Sequence, residues 1–88
     1  MFMVKSGTSH IVPFERDRLY ISIYDACRHR PTAVKDATAL VETIIGLFAS
    51  GIAAGGIVTR SDLVKTTADV LRRFDSAANV YYMAFHKL

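Results

Sequence analysis

The chain has one cysteine, no tryptophan and two prolines among 88 residues. A single thiol, Cys27, excludes an internal disulfide, and with three scattered histidines it excludes a closed Cys/His zinc site. No covalent or metal staple is therefore available, so helix packing or oligomerisation must stabilise so small a chain. No Ser-His-Asp, paired-carboxylate or Cys-His constellation is legible, and His10, His29 and His86 lack ligand-like spacing. A Walker-type glycine loop is missing too, which argues against an ATP-hydrolysing enzyme. The first residues contain no long apolar stretch of the signal-peptide kind, so a cytoplasmic location is the default expectation. The uncharged run from Thr43 to Val58, with Gly51 and Gly55 at helix-dimer spacing, is too short to span a bilayer.

What is present is a half-apolar chain with modest positive charge. Hydrophobic residues make up 51%, charged residues 22%, and the formal charge is +3. That composition suits one folded domain with an anionic partner: nucleotide phosphates, nucleic acid or an acidic protein surface.

Two short apolar runs, Phe2 to Lys5 and Ile11-Val12, flank Ser6-Gly7-Thr8-Ser9, which reads as a β-hairpin with Gly7 at positive φ. Pro13 stops the second strand. A helix opening at Phe14-Glu15-Arg16-Asp17 places Leu19, Ile23, Ala26 and Cys27 on one stripe, then ends on Arg28-His29-Arg30 before Pro31. A second helix, about Thr32 to Ala49, directs Val34, Ala37, Val41, Ile44 and Phe48 inward, with Leu40, Ile45 and Leu47 widening the stripe. Ser50-Gly51 ends it, Gly55-Gly56 marks a loop, and Ile57-Val58 reads as a third strand beside the hairpin.

Thr59 to Asp62 resembles a capping box for a third helix, with Leu63, Ala68, Leu71 and Phe74 inward and Lys65, Arg72 and Arg73 outward. Asp75-Ser76 caps a last helix from Ala77 to about His86, whose apolar face is expected to comprise Val80, Tyr81, Ala84 and Phe85. The predicted order is β-β-α-α-β-α-α, one α+β unit.

Three stretches carry a family resemblance. Pro13-Phe14-Glu15-Arg16-Asp17-Arg18-Leu19 resembles P-F-D-R-x-K-L; Ala26-Cys27 with Arg30-Pro31 resembles A-C-x-x-R-P; and Leu71 through Tyr82 is similar to L-x-x-L-D-x-x-A-Y-V-x-F without gaps. Together, in order, they resemble the ATP-cone family found in ribonucleotide reductase large subunits and in the zinc-ribbon repressor of ribonucleotide reductase genes. The resemblance implies one ATP-cone-like domain over 1–88: a β-hairpin and short third strand packed on about four helices. It also implies ATP or dATP as a ligand, with or without Mg. Occupancy would then control assembly or activity of an attached or partner protein.

By the same resemblance Val4, Lys5, Glu15, Arg18, Thr59 and Arg60 are nucleotide-binding candidates. Lys5 and Arg18 are the phosphate candidates, and a charge-assisted contact from Arg18 would contribute about 1.5–3 kcal/mol. Val4 has its backbone toward the base. Glu15 either faces the nucleotide or stabilises the helix dipole, and Thr59 is first of all an N-cap.

Two departures stand out. Ser6 occupies the second basic position of the family's V-x-K-R-x-G, and Val12 replaces an acidic residue often found before P-F. They raise an alternative, a degenerate cone serving as a dimerisation or protein-interaction module. Pairing is expected through the last helices, to a second copy or a parent protein, with Tyr82 or Phe85 in the contact. Direct nucleic-acid binding through Arg28 to Arg30 and Arg72-Arg73 is the weaker option, because no helix-turn-helix or RNA-binding signature accompanies them.

Overall fold

Gly7 sits at φ +65°, in the left-handed region that glycine enters at no steric cost, and starts the turn between two short antiparallel strands. The computed structural model describes residues 3–7, 10–51 and 56–86. Phe2, Thr8, Ser9 and Gly55, which the sequence assigned to a strand, a turn and a loop, lie outside the described residues. The elements follow the expected order: β1 (Met3–Ser6), β2 (His10–Pro13), α1 (Arg16–Ala26), α2 (Ala33–Gly51), β3 (Ile57–Thr59), α3 (Arg60–Phe74) and α4 (Ser76–Phe85). No helix among the described residues is long and apolar enough to cross a membrane.

β1 is the central strand, antiparallel to β2 and parallel to β3. Val4 pairs with Val12 on one side and Val58 on the other, so three valines form one row across the sheet. Val4 and Val58 are buried and Val12 packs against them, so this row is the inner face. Lys5, one residue on, belongs to the opposite face with Ile11 and Thr59.

α1 buries the stripe its spacing called for: Leu19, Ile23, Ala26 and Cys27. It ends earlier than expected, at Ala26. The Cys27 N–H is shared between the carbonyls of Ile23 and Tyr24, and the Arg30 N–H closes a tight turn on Cys27. Arg28, His29 and Arg30 therefore lie in the connection to α2 and not on the helix's last turn.

In α2 the buried positions are Ala33, Ala37, Leu40, Val41 and Ile44, whereas Val34 is 62% exposed and Leu47 52%. The apolar stripe is rotated by one residue at its start. In α3 the core takes Val64, Thr67 and Leu71; Leu63 and Ala68 are half-buried, and Phe74 is exposed. The largest correction is α4. Ala78 and Tyr82 face the core, while Val80, Tyr81, Ala84 and Phe85 face outward. Tyr82 is thus a core residue and not part of an intermolecular contact. All-round apolar character left the facing of this helix undetermined by periodicity.

One polar cluster fixes the helices to each other. The Arg30 guanidinium donates to Asp36 Oδ2 and Asp75 Oδ2, each at 2.8 Å, and lies 4.5 Å above the Phe74 ring. Asp36 also accepts from the Thr32 hydroxyl, and Asp75 Oδ2 contacts His29 Nε2 at 3.0 Å. The other Asp75 oxygen accepts from the N–H groups of Ala77 and Ala78 and so caps α4. The α1–α2 turn, the start of α2 and the α3–α4 corner thus converge on one arginine. These hydrogen bonds hold both carboxyls below their ordinary values: Asp75 through Arg30 first and then His29, Asp36 through Thr32 first and then Arg30.

Candidate functional site

The inner face of the hairpin, the start of α1, the first turns of α3 and the end of α4 enclose a cleft of about 260 Å³. Its apolar lining comes from Val4, Val12, Phe14, Leu19, Leu63 and Tyr82. Its polar lining comes from Ser6, Glu15, Arg18, Ser22, Arg60 and His86. A second hollow of about 210 Å³ is lined by Lys5, Ser6, Gly7, Arg60 and Ser61. Ser6 and Arg60 belong to both. Each hollow alone is below the ~300 Å³ at which small-molecule pockets begin, and Ser6 and Arg60 stand between the two.

The two halves differ in chemistry. The first is mainly apolar and ends against Tyr82, whose ring stacks on His86 at 4.2 Å between centroids. Burial pushes the Tyr82 phenol above its ordinary value, with Thr67 and the charge of Arg60 acting in the opposite sense. The Thr67 hydroxyl is fully buried and, among the described residues, has no partner in hydrogen-bond geometry.

The second hollow is basic and sits at the N-terminus of α3. Thr59 Oγ1 accepts from the Asp62 N–H at 3.0 Å, which caps the helix. Arg60 and Ser61 follow as its first helical residues, in the turn where backbone N–H groups lack intrahelical acceptors. Helix dipole and side-chain charge therefore add up in the same place, although Asp62 in the same turn offsets part of it. Among the described residues, no carboxylate forms an ion pair with Lys5 or Arg60. Arg18 is different: its Nε is 3.1 Å from Glu15 Oε2, with side chains 82% and 54% exposed.

Of the six candidates from the sequence, Val4, Glu15, Arg18 and Arg60 line the first cleft, and Lys5 joins Arg60 in the second. Thr59 lines neither; its hydroxyl is engaged as the α3 cap. Glu15 occupies the N-cap position of α1 without making a side-chain cap bond, so its carboxylate is not held by the helix start. Sequence reasoning missed Ser22, Leu63 and His86 as lining residues. His86 had a legible signal, since it follows Tyr82 at helical spacing.

Elsewhere the chemistry is closed. Cys27 is fully buried, and burial first, then the Asp36 charge, pushes its thiol up, away from the reactive thiolate. Arg72 and Arg73 both pair with Asp69, and Arg30 with Asp36 and Asp75. Of the basic residues considered for nucleic acid, Arg30 is thus held by two carboxylates, whereas Arg72 and Arg73 share one and remain exposed. Among the described residues, no group of three His, Cys, Asp or Glu stands where it could hold a metal ion. Compared with protein-family models and with characterised proteins, the chain matches none.

Proposed function

We propose that the cleft and the neighbouring hollow together bind an adenine nucleotide, ATP or dATP, and that occupancy regulates a protein to which the domain is attached or docked. The base enters the apolar half, against Val4, Leu19 and Tyr82, and the phosphates lie at Lys5, Arg60 and the first turn of α3. What supports this reading is the junction at Ser6 and Arg60, where an apolar slot meets two cations that no carboxylate engages among the described residues. A nucleotide needs that combination: an apolar surface for the base and cations or N–H donors for the phosphates. The regulatory role rests on the ATP-cone resemblance of the three sequence stretches.

Isothermal titration of the whole chain with ATP, dATP, AMP and adenosine tests it. Affinity should rise with phosphate number, and the advantage of ATP over adenosine should shrink as salt is raised, because exposed charges are screened. Absence of binding by all four ligands would leave the second reading, a protein-interaction module that has lost the nucleotide. That reading draws on Ser6, an uncharged residue at the junction, and on the exposed Glu15 carboxylate beside the cleft.

A further inference from the structure

The outward side of α4 is apolar along its whole length. Ala77, Val80, Tyr81, Ala84 and Phe85 succeed one another at steps of three and one, so they share one face, and all five are exposed. Val80 is 65% exposed, Tyr81 48% and Phe85 81%. None carries a charge. The face is also held in place before any partner arrives. Asp75 caps the helix with two hydrogen bonds, and the Tyr81 ring rests 5.3 Å from the His29 ring. Little further ordering is then needed on association.

We propose that this face binds a second copy of the chain, the two α4 helices lying antiparallel about a two-fold axis near Tyr81. The residue pattern is self-complementary in that arrangement. Phe85, four residues after Tyr81, meets Ala77 of the second copy, four residues before it, so large packs on small at both ends. The stripe itself carries no charge, so the residues that meet across the axis do not repel one another. The five residues offer roughly 400–500 Å² of apolar surface per chain, given the area of buried aromatic side chains. Two such faces come to about 900 Å², just below the ~1,000 Å² of a specific interface, which is the size of a weak, reversible dimer. None of the five lines the cleft, so the pairing stands apart from the nucleotide reading.

Sedimentation equilibrium of the full chain, over roughly 10 µM to 1 mM, should show a monomer–dimer equilibrium. Val80→Glu and Phe85→Asp, both at exposed positions, should each raise the dissociation constant at least ~tenfold while keeping the wild-type helical signal. Phe85→Asp mixed with Ala77→Lys should recover a heterodimer that neither forms alone. A wild type still monomeric at the highest concentration, or folded variants that pair as the wild type does, would overturn the proposal. Failure of the mixed pair to form would overturn the antiparallel arrangement.

Discussion

Arg30 and Arg60 are the same side chain in opposite surroundings. Arg30 has carboxylates on two sides and an aromatic ring beneath it, and its side chain is 34% exposed. Arg60 is exposed, opens a helix, and has no carboxylate partner among the described residues. A cation that already has its counter-ions stabilises the fold and has little to offer a ligand. One left beside a helix N-terminus and an apolar slot contributes little to the fold and much to an anion that arrives there. The polar cluster and the cleft therefore differ in what their substitutions should change.

The largest effect is expected at the cluster. Asp75→Ala removes the α4 cap together with the partner of Arg30 and His29, and should lower the melting temperature by on the order of 10 °C. Arg60→Ala should move it by no more than about 2 °C, the usual range for an exposed surface position. Thermal melts of both variants by circular dichroism test the contrast; equal losses would break it.

Acid should expose the same asymmetry. Asp75 and Asp36 are both held below the ordinary carboxylate value of 3.8 by their hydrogen bonds. A carboxyl depressed in the folded state contributes stability that is fully present above its unfolded value and lost as pH falls through its folded one. The melting temperature should therefore hold steady down to about pH 5 and then fall continuously toward pH 2. In Asp75→Ala the fall should be shallower, since one of the two linked groups is gone. A variant whose acid limb parallels the wild type would show that other carboxylates govern it.

Much of this contrast was legible in the sequence, though not its internal geometry. The order of elements, the Gly7 turn, the α1 stripe and the Thr59 and Asp75 caps all followed from local rules, because each depends on residues within one turn or hairpin. The facing of α4 did not. Val80, Tyr81, Ala84 and Phe85 are as apolar as Ala78, Tyr82 and Met83, so only packing against α1 and α3 decides which side is buried. The Arg30 pairing was equally hidden, because its acids lie in α2 and beyond α3. Four of the six candidates line the cleft and Lys5 lines the neighbouring hollow, yet the lining residues Leu63 and Ser22 carry no chemical signal that distinguishes them from ordinary helix positions.

At the cleft the expected changes are in affinity. Lys5→Ala and Arg60→Ala should each weaken ATP about tenfold, the size of one charge-assisted hydrogen bond, and leave adenosine within about threefold. Titration of both ligands against both variants measures the difference. Parallel losses for adenosine and ATP would place these side chains against the nucleoside and not the phosphates.

The smallest effect is expected at Arg18, and it separates two roles for Glu15. Arg18 already has Glu15 at 3.1 Å, with both side chains largely in solvent. To reach a phosphate it must exchange one anion for another, so the gain is the difference between two contacts and not a whole one. Arg18→Ala should then weaken ATP only about two- to fivefold, well short of the full charge-assisted bond. Glu15→Gln makes the sharper measurement. If Glu15 serves only as a counter-ion near the helix start, removing its charge frees Arg18 and lowers repulsion of the phosphates. ATP should tighten a few-fold while adenosine is unmoved. If the carboxylate instead accepts a hydrogen bond from the ribose or the base, ATP and adenosine should weaken together, because both carry the nucleoside. Opposite signs for the ATP change thus distinguish the two roles.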